Sequence, residues 1–159
     1  HSMGDTFVVP EPKIQEHTML VPGTDGKKMS KSRNNYINIF LPKNELKKVI
    51  NKNFVTDDTP LEDSKDPETS AVYQLYKLIA NEQQVTQMAA NLRAGGYGWG
   101  HAKKELLACI LERFSKEREK YDYYMKNTSE LDEVLLNGAN KARVVAKETL
   151  KRVRKKCGY

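Results

Sequence analysis

Asp66-Pro67-Glu68-Thr69-Ser70-Ala71-Val72-Tyr73-Gln74-Leu75-Tyr76-Lys77-Leu78-Ile79-Ala80 is the stretch on which the fold turns. Asp66 carries an oxygen suited to capping free backbone N–H groups. Pro67 suits the first helical position, where its missing N–H would have no partner anyway. Val72, Leu75, Tyr76, Leu78 and Ile79 then recur at helical spacing, so the apolar stripe of a helix reaching Ala80 is expected to face a core. The same period continues downstream. A helix over 82–94 would bury Val85, Met88, Ala89 and Leu92. Beyond the interruption Gly95-Gly96-Tyr97-Gly98-Trp99-Gly100, a helix from His101 to Met125 would bury Ala102, Leu106, Cys109, Ile110 and Phe114. Ser129-Glu130-Leu131-Asp132 reads as the capping box of a last helix, which would turn Leu135, Ala139, Ala142, Ala146, Leu150, Val153 and Cys157 inward.

Upstream the punctuation is denser. Residues 54–66 hold Asp57, Asp58, Pro60, Asp63 and Ser64 and read as a loop. Pro42 can open a helix through Ile50 with Leu46, Val49 and Ile50 on its apolar side. Thr6-Phe7-Val8-Val9 and Thr18-Met19-Leu20-Val21 read as strands or extended segments, stopped by Pro10 and by Pro22-Gly23. The expected fold is therefore mainly α: a helical bundle over 41–159, preceded by a different, loop-rich region over 4–40. His1-Ser2-Met3 reads as a cloning remnant plus a start.

A chain of 159 residues with 38% apolar content can bury one core. It has no run of roughly 18 apolar residues and no signal-like N-terminal stretch, so a cytoplasmic protein without a membrane partner is expected. Cys109 and Cys157 lack metal-type spacing and read as reduced thiols, and no tightly bound metal or organic cofactor is expected. Charge is more telling once located. From Gly138 to the end stand Lys141, Arg143, Lys147, Lys151, Arg152, Arg154, Lys155 and Lys156 against Glu148 alone, while the whole chain carries only +6. One terminal helix therefore holds the entire basic excess. That fits a polyanion partner, or a solvated helix end whose cations suit the C-terminal dipole.

The loop Pro22-Gly23-Thr24-Asp25-Gly26-Lys27-Lys28-Met29-Ser30-Lys31-Ser32 gathers lysines among glycines and hydroxyls, with Arg33 next. Flexible ammonium groups on such a loop suit a polyphosphate whose charge shifts during reaction. A Walker-type phosphate loop is excluded, because Gly23 and Gly26 are too close and Lys28 stands where Ser or Thr is needed. An exposed lysine-rich surface loop is the plain alternative.

Lys28-Met29-Ser30-Lys31-Ser32 matches the KMSKS signature of class I aminoacyl-tRNA synthetases letter for letter. Its surroundings resemble the tryptophanyl-tRNA synthetase family: Pro22-Gly23-x-Asp25-Gly26 before it, Asn34-Asn35-Tyr36-Ile37 after it, then Thr56-Asp57-Asp58-Thr59-Pro60 and Asp63-Ser64-Lys65-Asp66-Pro67. The glycine-rich segment with His101-Ala102-Lys103-Lys104, and Gly138-Ala139-Asn140-Lys141-Ala142-Arg143, resemble it too. Arg33 departs from the aromatic residue often found after the signature.

That resemblance implies the fold of a C-terminal helical, anticodon-binding bundle preceded by a short remnant of an α/β Rossmann-type catalytic domain. It implies tryptophan activation with Mg-ATP as the substrate complex, and transfer of tryptophan to tRNA(Trp). Lys31 would bind the departing pyrophosphate charge with Lys28 assisting, Ser30 and Ser32 would help hold loop and phosphates, and Met29 would pack. Pro22, Gly23, Asp25 and Gly26 would form the loop's hinge. Arg143, Lys147, Lys151, Arg154 and Lys155 would meet RNA backbone. Tyr97 and Trp99 would either stack on unpaired bases or pack between helices. None of His1, His17 and His101 lies in the family's HIGH tetrad, which with the L-tryptophan pocket lies N-terminal to the loop in this family. The resemblance thus implies a parent enzyme that dimerises through a catalytic half outside this chain, and a piece inactive alone. A non-catalytic RNA-binding helical module and the related tyrosyl-tRNA synthetase are the alternatives.

Overall fold

The structure, a computed structural model, describes Gly4, residues 6–14 and residues 20–159. The readings of His1-Ser2-Met3, His17 and Thr18-Met19 lie outside the described residues. Among the described residues there are α1 (Lys43–Asn53), α2 (Ala71–Ile79), α3 (Glu82–Ala94), α4 (Trp99–Arg113), α5 (Ser115–Lys126) and α6 (Thr128–Lys156), and no strand. The mainly helical expectation holds. Thr6–Val9 and Leu20-Val21 form no ladder, and an antiparallel bridge between Pro22 and Lys28 is the one described pairing. The chain divides into two compact units, Gln15–Glu119 and His1–Ile14 with Lys120–Tyr159.

The larger unit holds the core. Leu46 and Ile50 from α1, Val72, Leu75 and Tyr76 from α2, Met88 and Leu92 from α3, and Leu106 and Ile110 from α4 are all buried. Each aliphatic side chain so buried contributes about 1.5–3 kcal/mol. These are the positions that helical spacing selects, and Asn81 starts α3 with a full capping box. Its Oδ1 accepts from Gln84 N–H at 2.9 Å while its own N–H donates to Gln84 Oε1 at 3.0 Å.

Three helices differ in their bounds from the sequence reading, and the last, which starts at Thr128 as expected, differs in its cap. Pro42 lies just outside α1, its carbonyl accepting from Glu45 and Leu46 N–H, and the helix runs on to Asn53. The Asp66–Ala80 helix is two pieces. Asp66 does cap, accepting from Glu68 N–H at 3.0 Å, but it starts only a 3-10 turn over Pro67–Thr69. Extended Ser70 breaks the chain and caps α2 by accepting from Tyr73 N–H. The expected His101–Met125 helix starts earlier, at Trp99, and breaks at Phe114, whose φ of −107° and ψ of 19° leave the helical region. Just past that break the Arg118 guanidinium donates to the Ile39 and Leu41 carbonyls, tying α5 to the loop before α1. Finally, Ser129 caps nothing. The chain re-enters a helix at Thr128, and Asn127 uses its amide to donate to Tyr123 O at 2.8 Å, closing α5 rather than opening α6.

Helix α6 is helical as expected but buries none of its residues. Leu135 is 60% exposed and Leu150 46% exposed, Ala142, Ala146 and Cys157 are exposed, and Ala139 and Val153 are half-buried. Amphipathic spacing sets which side of a helix is apolar; a facing element must still be supplied. Here α5, the other helical part of that unit, buries no residue either.

The glycine-rich segment is a packed turn against the 60–65 loop. Gly95 takes φ +79°, and a Cβ on it would overlap the Glu62 carbonyl oxygen. Gly96 N–H donates to Leu61 O at 2.9 Å. Tyr97 and Trp99 both pack against the core, and Trp99 Nε1–H donates to Asp57 at 2.9 Å. Burial, with Glu105 beside it, pushes the Tyr97 phenol upward.

Candidate phosphate loop and nucleic-acid surfaces

The signature sits on a loop closed at its base and open at its tip. Gly23 N–H donates to Lys27 O at 2.7 Å and Gly26 N–H to Gly23 O at 3.0 Å, which folds 23–27 into a tight turn with Gly26 at φ +75°. Met29 N–H donates to Val21 O at 2.8 Å, and Met29 is half-buried. Ser30 and Ser32 hydroxyls lie 2.8 Å apart in a mutual hydrogen bond. Lys31 O accepts from Asn34 N–H at 3.1 Å, closing a turn that needs the left-handed conformation at Asn34, φ 53°. Asn tolerates that region better than other non-glycine residues. Lys27, Lys28, Lys31 and Arg33 are all exposed on this turn and its approach.

Two buried residues hold the loop, Asn35 from within and Thr24 to the body of the unit. Asn35 is buried, and its side chain reaches Ser30, Lys28 and Asp25. Thr24 is buried too, with its N–H donating to Asn35 O at 2.9 Å and its carbonyl accepting from Val55 N–H at 2.9 Å. The Asn35 amide, aided by Lys27 N–H, holds the Asp25 carboxyl below the usual carboxylate range. Beneath lies a cavity of about 320 Å³ whose walls include Asp25, Gly26, Thr56, Asp57 and Trp99, so loop base and glycine-rich turn share one seam. In the sequence Asn35 stands out only as part of a resemblance; a polar residue three positions past the signature gives no sign of its burial.

The basic residues of α6 are exposed, and Lys147, Lys151, Arg154 and Lys155 line one shallow depression of about 380 Å³ with Leu150 and Tyr159. Arg143 lies apart from it and donates to Asn140 Oδ1 at 2.9 Å. Four of the five residues expected to meet RNA thus share one surface. They belong to one unit and the signature loop to the other.

A second basic surface escaped the sequence reading. Lys43, Lys47, Lys103 and Lys104 line a groove of about 640 Å³ whose floor includes Leu107, Ala108 and Leu111, with no acidic residue in its walls. Lys103 donates to Asn51 O and Phe54 O, both at 3.1 Å, and burial lowers its pKa. The signal was present as Lys43 and Lys47 one helical turn apart, but only the crossing of α1 with α4 brings them to Lys103 and Lys104.

A helical chain with a lysine-bearing signature loop and a basic groove on its larger unit, and a basic helix in the other, belongs with tRNA-charging enzymes of class I. The sequence model described as "tRNA synthetases class I (W and Y)" matches residues 2–115, and the chain belongs to that family. The relatives point to one branch of it. The chain is 43% identical over 152 residues to the tryptophan–tRNA ligase of Fusobacterium nucleatum, covering 96% of this chain and 46% of the relative. To that of Rhodopirellula baltica it is 40% identical over 158 residues, covering 99% and 49%. The crystal structure of Campylobacter jejuni tryptophanyl-tRNA synthetase complexed with ADP and tryptophan superposes with a TM-score of 0.83 at 39% identity, covering 99% of this chain and 49% of that one. The chain therefore spans about half the length of the relatives it matches. Among the described residues, no helix is long and apolar enough to cross a membrane.

Proposed function

We propose that this chain is the part of a tryptophan–tRNA ligase that handles the ATP phosphates and the tRNA. The carrying observation is the Lys28–Ser32 signature on a loop pinned at its base, with Lys28 exposed at the bridge to Pro22 and Lys31 exposed on the turn beyond it, in a member of this family. In the proposed reaction a tryptophan carboxylate oxygen attacks the α-phosphorus of Mg-ATP. The bond to the bridging oxygen breaks, and pyrophosphate leaves with that electron pair. The tRNA 3′-terminal hydroxyl then attacks the acyl carbon and AMP departs. Lys31, with Lys28, faces the oxygens that gain charge as the bridge breaks, and Ser30 and Ser32 brace the turn. Positive charge preorganised there favours the transition state without moving a proton. The tryptophan pocket, the HIGH tetrad and the homodimer contact belong to a catalytic half outside this chain, and the enzyme works in the cytoplasm.

On this reading the 159-residue chain alone catalyses no tryptophan-dependent ATP–pyrophosphate exchange. Exchange by a preparation free of host synthetase would contradict it. The chain should nevertheless bind tRNA(Trp) through its lysine surfaces, weakly and with strong salt dependence. Contact with about four phosphates would weaken binding on the order of 10²-fold between about 50 and 200 mM salt. Titration at several salt concentrations checks this. Replacing Arg143, Lys147 and Lys151 by alanine should lower the affinity and flatten the salt slope; an unchanged slope would make the α6 stripe a solvated face.

A further inference from the structure

The signature's two lysines are exposed, so something else must fix where they point, and one side chain stands out. Asn35 is 3% exposed and engages with both ends of its amide. Its Oδ1 accepts from Ser30 N–H at 2.7 Å, and its Nδ2 donates to Asp25 Oδ1 at 2.6 Å and to Lys28 O at 3.2 Å. It therefore holds the backbone on both sides of Met29, inside the signature, and fastens that segment to the turn that precedes it. The packing is built around this residue: a Cβ on Gly23 would overlap the Asn35 side chain, so glycine alone lets the turn come this close. Past the clamp the chain meets only the short turn closed between Lys31 and Asn34.

We propose that Asn35, acting with Asp25, is the positioning residue of the phosphate loop, setting the backbone from which Lys28 and Lys31 reach the leaving pyrophosphate. The proposal rests on the functional reading above. A lysine stem has four rotatable carbons, so a loose backbone would spread its ammonium over many places, most of them unproductive. Misplacing a reacting or stabilising group by about 1 Å costs on the order of 10²-fold in rate. Asn35→Asp is the sharpest variant. It keeps the shape and the acceptor for Ser30 N–H, but turns both donors into acceptors facing the Asp25 carboxylate and the Lys28 carbonyl.

The test has two arms. In an enzyme of the relatives' full length carrying this sequence, Asn35→Asp should slow single-turnover formation of tryptophanyl-adenylate about 10²-fold. The KM for tryptophan should stay within about twofold, because the loss is confined to the transition state. Adding Asp25→Asn returns a donor to the pair and should recover about tenfold of the rate, which a residue serving only general stability would not do. In the 159-residue chain, hydrogen exchange after Asn35→Ala should expose the Ser30 amide at least about tenfold more while leaving amides of α3 protected. Parent-like adenylate rates in Asn35→Asp, no recovery in the double variant, or protection lost equally throughout α3 would each overturn the positioning role. A full-length enzyme that makes no tryptophanyl-adenylate before any substitution would overturn the functional reading, and this role with it; the exchange arm tells that failure from a clamp that does not exist.

Discussion

Lys31→Ala, in an enzyme of the relatives' full length carrying this sequence, lowers the rate of tryptophanyl-adenylate formation by about 10²–10³-fold, the usual effect of removing one preorganised electrostatic group worth about 3–4 kcal/mol. The effect falls on kcat because negative charge on the bridging oxygen grows only as the bond breaks. Loss of binding that is equal in ground and transition states would raise KM instead. Tryptophan affinity therefore stays nearly constant. Lys27→Ala supplies the control. It removes a neighbouring positive charge just outside the signature, on the far side of the bridge between Pro22 and Lys28, and should slow the step far less. Pre-steady-state adenylate formation measures both, and equal rates for the two variants would mean the loop is merely a basic surface.

The second large effect concerns stability. Lys65 is 2% exposed, and its ammonium donates to Pro60 O at 2.7 Å, Asp63 O at 3.0 Å and Leu61 O at 3.2 Å. Its own N–H donates to Leu92 O at 2.8 Å, joining this loop to the end of α3. Lys65→Met keeps the stem's bulk but leaves three inward-turned carbonyls without their charged donor. Hydrogen bonds to charged groups contribute about 1.5–3 kcal/mol, so a loss of about 3 kcal/mol is expected. Lys77→Met removes an exposed ion pair with Glu68, 3.1 Å apart, and should change stability by less than about 1 kcal/mol. Urea unfolding of the two variants separates these outcomes. Equal midpoints would show that the lysine cage does not hold the loop.

Lys65 also illustrates why part of this molecule could not be read from its letters. Within Asp63-Ser64-Lys65-Asp66-Pro67 it looks like any surface lysine, because its burial depends on how the local loop carbonyls curl around it and on Leu92 and Gly95-Gly96, distant in sequence, closing over 61–65. The helical stripes of α1 to α4 were legible, since the 3.6-residue period states directly which side chains share a face. What period cannot state is where a local competitor interrupts it. Ser70 ended a helix that Asp66 had begun because its hydroxyl offered a second cap four residues on, and Phe114 left helical geometry while its ring stayed against the core. In α6 the period was right and the burial wrong, because a stripe does not name its partner.

The candidate site divides the same way. Lys28 to Ser32 were legible as a contiguous signature, whereas Asn35 and the Lys43, Lys47, Lys103, Lys104 groove arise from tertiary placement. The basic tail was legible as charge, and the structure adds that Lys147, Lys151, Arg154 and Lys155 share one depression while Arg143 does not.

The most direct measurement is amino-acid-dependent ATP–pyrophosphate exchange by an enzyme of the relatives' full length carrying this sequence, run in parallel with tryptophan and with tyrosine. The account predicts exchange that depends on tryptophan, is not supported by tyrosine, and falls about 10²–10³-fold with Lys31→Ala. Exchange driven by tyrosine, or none with either amino acid, would contradict it.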